Sequence, residues 1–151
     1  MLRISADTNI ILSGLFFDKN PERLLTLAIN GDIKLIIPDL VRDEVNEKIA
    51  EKFKNYRSIE TAKELWFVLK EAFKEEKELL GDENITITCV DPDDKAILEH
   101  CVKLRIDYFI SGDAKHVLVV KDAPFKIISL VDFFKTEFPQ LFQEANVSKS
   151  N

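Results

Sequence analysis

Along this chain, short apolar runs alternate with longer stretches in which apolar residues return every three or four positions. The runs "LRISA" (2–6), "IKLIIP" (33–38), "DYFIS" (107–111) and "FKIIS" (125–129) predict strands. "NITITCV" (84–90) alternates, is rich in β-branched residues, and predicts another. Helical spacing fills the intervals. "IILSGLF" (10–16) suits a short helix. "NPERLLTLAING" (20–31) predicts a helix with Asn20 as cap, Pro21 at its first position and Gly31 at its end. Val41, Val45, Ile49 and Phe53 recur at four-residue steps and predict a helix over 39–53. A long helix is expected over 58–80, and another over 91–105 with Asp91 as cap and Pro92 first. Residues 113–118 suit a short helix or turn. A last helix over 129–138 opens with Ser129 and Asp132 spaced as a capping box. Strand followed by helix, repeated, predicts a parallel sheet covered on both faces and joined by right-handed crossovers. The expected fold is a single α/β domain, a three-layer sandwich with a parallel sheet of about five strands.

Composition narrows this picture. With 46% hydrophobic and 32% charged residues, the 151-residue chain has the balance of a globular domain with a sizeable core. No apolar run approaches the roughly 20 residues of a membrane helix, so no membrane association is expected. The N-terminus has no basic segment leading into an apolar stretch, so no signal peptide is expected and a reducing cytoplasm is the default location. Cys89 and Cys101 make no disulfide framework. The four glycines, Gly14, Gly31, Gly81 and Gly112, are too scattered for a P-loop or a G-x-G-x-x-G turn, which removes the commonest nucleotide-binding readings. A net charge of −6 argues against holding nucleic acid by bulk electrostatics, though not against a nucleic-acid enzyme with cations placed locally.

Acids change the picture most. Asp7 follows the first strand, with Thr8 and Asn9 behind it, and taken alone it suits a helix cap. The second strand leads into a helix bearing Glu44. The third leads to Asp91, Asp93 and Asp94, and the fourth passes Ser111 and Gly112 to reach Asp113. In open α/β sheets the carboxyl edge of the strands is where ligands bind. At about 100° per residue, Glu44 falls at the margin of the apolar face of its helix, and Asp43 turns toward solvent. Asp94 shares a face with Ile97, Leu98 and Cys101, and Asp93 does not. The expected set is therefore Asp7, Glu44, Asp94 and Asp113, with Asp91 and Asp93 open as alternatives to Asp94. Crowded carboxylates repel one another, and a hard divalent cation, Mg²⁺ or Mn²⁺, relieves them. Such an ion can activate water at a phosphodiester.

Four stretches, "ADTNIILSGLF", "PDLVRDEV", "DPDDKAILEHC" and "IDYFISGDAKHVL", resemble in order and spacing the four acidic motifs of the PIN domain, over about residues 1 to 135. The resemblance implies a metal-dependent ribonuclease that leaves 5′-phosphate and 3′-hydroxyl ends. It also implies a VapC-type toxin silenced by an antitoxin, and a homodimer. By motif the metal-site acids fall on Asp7, Glu44, Asp94 and Asp113. Ser111 takes the polar position before the Gly-Asp pair, where Thr is common, and Asn9 takes the polar position after the first acid. The long helix at 58–80 and the extended tail, about 136–151, depart from compact members.

Other signals weigh less. Cys89, Cys101, His100 and His116 match no common zinc spacing and are expected to be structural, with His116 at the rim of the site. Arg42, Lys48 and Lys115 are the plausible basic contacts for RNA. Phe67 points away from the apolar face of its helix, and the Phe-rich "FFKTEFPQLF" has more bulk than one short helix needs; both suit an interface. Two rival functions are a metal-dependent phosphatase, disfavoured because Asn9 stands where a second acid is needed, and a non-catalytic RNA-binding relative, disfavoured by the intact acids.

Overall fold

A computed structural model describes residues 1–16 and 19–141 of the protein. Its sheet has four parallel strands: β1 (Arg3–Ala6), β2 (Lys34–Leu35), β3 (Tyr108–Ile110) and β4 (Lys126–Ile128), in the order β2-β1-β3-β4. Every residue of β3 is buried, as are Ile4, Ser5 and Ala6 of β1. Successive strand residues point to opposite faces, so both faces of the central pair are covered. This is the expected α/β sandwich.

The helices are α1 (Thr8–Phe16), α2 (Lys19–Ile29), α3 (Asp39–Glu51), α4 (Ile59–Ala72), α5 (Pro92–Lys103) and α6 (Leu130–Glu137), with a short 3-10 turn at Lys77–Leu79. Caps explain several boundaries. Asp91 accepts from the backbone N–H of Asp93 and Asp94 and starts α5, and Ser129 accepts from Asp132 N–H and starts α6. Gly31 closes α2 at φ 81, where its N–H reaches Ala28 O and the next N–H reaches Leu27 O. That paired closure needs a left-handed residue, which glycine adopts without a Cβ clash. At its other end α2 begins at Lys19, ahead of the expected start, so Asn20 lies within the helix and is not its cap.

The strand expected over 84–90 does not pair with the sheet, which therefore has four strands. Its alternation is partly real: Ile87 is fully buried, Thr86 and Thr88 are exposed, and Cys89 is half-buried. Its backbone donors go to carboxylates, with Ile87 N–H on Glu99 at 2.8 Å and Thr88 N–H on Asp122 at 3.0 Å. The Cys89 thiol, which burial pushes up in pKa, donates to His116 O at 3.4 Å. An alternating pattern reports a buried face; the hydrogen-bond partner comes from elsewhere.

The helix expected over 58–80 stops at Ala72. Phe73 O accepts from Ile37 N–H at 2.7 Å, and Lys74 bridges to Ile37, extending the β2 edge. Glu75 is then buried against His100 Nε2 at 2.7 Å. Trp66 Nε1 donates to Asn46 Oδ1 at 2.7 Å and fastens α4 to α3.

Two phenylalanines of the Phe-rich stretch are core. Phe133 and Phe134 are fully buried, and Phe133 meets Tyr108 edge-on at 5.3 Å between centroids. Their bulk fills the space beside β3, which removes them as an interface. The remainder of the tail, 142–151, lies outside the described residues.

Candidate functional site

Asp7 stands one residue beyond β1, and its own N–H continues the ladder to Ile110 O at 3.0 Å. Its carboxylate is shared between two tasks. Oδ1 accepts from Ile10 N–H at 3.0 Å and so caps α1, and Oδ2 accepts from Ser111 Oγ at 2.5 Å. Burial pushes the Asp7 carboxyl above its ordinary range. Hydrogen bonds from Ser111, Ile10 and Gly112 oppose that rise, and the charge of Asp113 adds to it. The cap and the site are one group.

Ser111, fully buried just past β3, carries the link further. Its hydroxyl donates to Asp7 and accepts from Asp113 N–H at 3.0 Å. Asp113 accepts at Oδ1 from the N–H groups of His116 and Lys115, and at Oδ2 it lies 3.3 Å from His116 Nδ1. The His116 N–H bond leads in holding the Asp113 carboxyl below its ordinary range. Glu44, half-buried on α3, accepts from Thr8 Oγ1 at 2.7 Å. Thr8 is a member of the site that motif spacing passed over. Its signal was position alone, one residue after Asp7 and opposite a helix with a marginal acid.

Asp94 joins the group through charge. It is half-buried on α5, whereas Asp93 is exposed and Asp91 is engaged as the cap. Its pKa is pushed up to about 6, first by burial and then by the charges of Asp91, Asp113, Asp7 and Glu44. The structure therefore puts Asp94 within the field of Asp7, Glu44, Asp91 and Asp113, and Asp7 within that of Asp113. Asn9 is exposed and accepts from Lys48 Nζ at 3.5 Å.

Among the described residues, no three His, Cys, Asp or Glu side chains are gathered closely enough to ligate one ion directly. A compact zinc-like cage is not the geometry here. An all-oxygen set spread this widely suits a hard divalent ion that keeps several waters and touches one or two carboxylates. Cys101 is fully buried, and burial pushes its thiol up to about 12. Among the described residues, no helix is long and apolar enough to cross a membrane.

No match was found among curated proteins. The sequence profile described as the PIN domain matches residues 3–115, a span that runs from β1 through Asp113 and takes in all four acids, Asn9 and Ser111. PIN domains are in general nucleases, hydrolases of the phosphodiester bond. With well over half of its length inside that match, this chain belongs to the PIN domain family.

Proposed function

We propose that this protein is a divalent-metal-dependent endoribonuclease acting as the toxin of a toxin–antitoxin pair. The observation that carries the nuclease part is the concentration of carboxylates: Asp94 has four acids, Asp91, Asp113, Asp7 and Glu44, as its charged neighbours. In this reading Asp7, Glu44, Asp94 and Asp113 would hold Mg²⁺ or Mn²⁺, one or two of them directly and the others through its bound waters, and the ion would supply Lewis-acid stabilisation of the phosphodiester and the leaving 3′ oxygen. The chain's own residues do the positioning. Ser111 orients Asp7 and Asp113 against each other, and Thr8 orients Glu44. Products carry 5′-phosphate and 3′-hydroxyl ends.

The toxin role rests on the likeness of the four motifs to the PIN domain, many bacterial and archaeal members of which are VapC-type toxins. A homodimer is part of the same reading and is supported by α4, where Phe67 and Val68 are 66% and 58% exposed. Lys70 Nζ lies 5.5 Å from the centroid of the Phe67 ring. The test is cleavage of defined RNAs with Mg²⁺, Mn²⁺ or chelator, using wild type and the single variants Asp7→Asn, Glu44→Gln, Asp94→Asn and Asp113→Asn. Cleavage that persists in chelator, or 2′,3′-cyclic phosphate ends, would reject the mechanism. Expression that leaves growth unaffected while RNA is cut in vitro would reject the toxin role.

A further inference from the structure

One cleft beside the acids carries the opposite charge. Asn9, Leu12, Ser13, Lys48, Lys52 and Phe53 line a space of about 210 Å³. Adjacent residues tie it to the acid site: Thr8 holds Glu44, and Asn9, next in the chain, accepts from Lys48.

Lys48 and Lys52 stand one turn apart at the end of α3, on the same face. Like charges at that spacing repel. Glu44, four residues before Lys48, is the standard partner for such a lysine, yet it turns to Thr8 instead. Glu51, three residues after Lys48, is not at ion-pair distance either. Among the described residues neither lysine has a carboxylate partner. The helix dipole favours lysines at this end. It accounts neither for the polar Asn9 and Ser13 across from them nor for the apolar wall of Leu12 and Phe53. That wall is fixed in place, since Phe53 stacks on Phe16 at 4.4 Å.

We propose that this cleft is a phosphate subsite for single-stranded RNA, with Lys48 and Lys52 as positioning residues. They grip a backbone phosphate next to the bond to be cut while Leu12 and Phe53 meet the sugar. The inference rests on the endoribonuclease reading above. Its physical need is plain: a chain of net charge −6, with acids at its site, must draw phosphates in by cations placed locally.

The test is the salt dependence of binding, measured by fluorescence anisotropy of a labelled single-stranded RNA with Mg²⁺, in the Asp7→Asn background to prevent cleavage. Each phosphate contact contributes about 0.7 to the slope of log K against log salt. Lys48→Ala with Lys52→Ala gives up that one phosphate and should therefore reduce the slope by about 0.7. Lys48→Arg with Lys52→Arg should keep it. As a control of equal charge, Lys34→Ala with Lys126→Ala changes lysines at the starts of β2 and β4, the opposite edge of the sheet. In the active background the alanine pair should raise KM and leave kcat largely unchanged. An unchanged slope in the alanine pair, or an equal loss in the control pair, overturns the subsite and leaves the nuclease reading standing. Failure of wild type to cut RNA with any divalent ion, or failure to bind it, overturns both.

Discussion

Two places in this molecule take carboxylates out of water, and they do it in opposite ways. Glu75 is buried between the end of α4 and α5, where His100 Nε2 meets it at 2.7 Å. Asp7 and Asp94 are drawn in at the carboxyl edge of the sheet, where their charged neighbours are other acids. The first acid has its partner within the chain and so serves the fold. Among the described residues neither Asp7 nor Asp94 has such a partner, and burial and repulsion raise both. A protein that keeps charges in that state leaves room for a cation from outside. The difference separates acids that the fold itself partners from acids it leaves crowded better than burial alone does, since Glu75 is the more buried.

The sharpest test of the comparison is to neutralise each kind in turn. Asp7→Asn or Asp94→Asn should lower RNA cleavage by roughly 10²–10⁴-fold, the usual scale for groups acting directly in the chemistry. Retained activity in Asp94→Asn with loss in Asp93→Asn would move the site to the neighbouring acid.

Removing the partner of the structural acid should act on stability instead. His100→Ala leaves Glu75 buried without its partner and should cost about 3 kcal/mol in urea unfolding, with the metal-dependent stabilisation retained. A cost below about 0.5 kcal/mol, the ordinary range of surface changes, would show that water replaces the imidazole and that the contrast is overstated.

Ser111→Ala keeps every acid and removes the hydroxyl that joins Asp7 to Asp113. Activity should fall about 10- to 100-fold, as for outer groups that orient metal ligands. Unchanged activity would mean that the ladder alone sets the two carboxylates.

The pH dependence follows from the sign of the shift. Folded Asp94 titrates at about 6 and its ordinary value is 3.8, so the folded state binds the proton more tightly. In chelator this group's contribution makes the protein more stable as pH falls from about 7 toward about 4, and the gain is lost as pH rises through about 6. Asp94→Asn should be more stable than wild type near neutral pH in chelator and should lack the rise. With Mg²⁺ the wild type should lose its metal-dependent gain over the same window, because protons compete for the carboxylate. Melting curves across that range would decide it, and a metal effect equal in wild type and variant would remove Asp94 from the site.

The smallest effect belongs to Phe67→Ser. With 66% of the ring exposed, folding should change by less than about 0.5 kcal/mol, while a dimer seen by light scattering should weaken. A concentration-independent mass of one chain for the wild type would end the dimer proposal.

Much of this was legible along the chain because it is local. The caps at Asp91 and Ser129, the left-handed close at Gly31, and the inward or outward turn of Glu44, Asp43, Asp94 and Asp93 depend on spacing within a single turn. Strand-then-helix order places Asp7, Glu44 and Asp113 at one edge of a parallel sheet for the same reason, since each follows its own strand or lies on the helix beyond it, whereas Asp94 follows a segment that does not pair with the sheet. What the tertiary structure alone decided are the choices between partners distant in sequence. Residues 84–90 keep a buried Ile87 but spend their donors on Glu99 and Asp122. Helix α4 ends because Ile37 takes the carbonyl of Phe73. Phe133 goes inward against Tyr108, and Phe134 is buried beside Phe133. Thr8 finds Glu44 and Ser111 finds Asp7 across 36 and 104 residues. A pattern along the chain records which face of an element is apolar. Which donor meets which acceptor is set only when the elements pack, because a backbone or side-chain group accepts any partner of suitable geometry that the fold brings within reach.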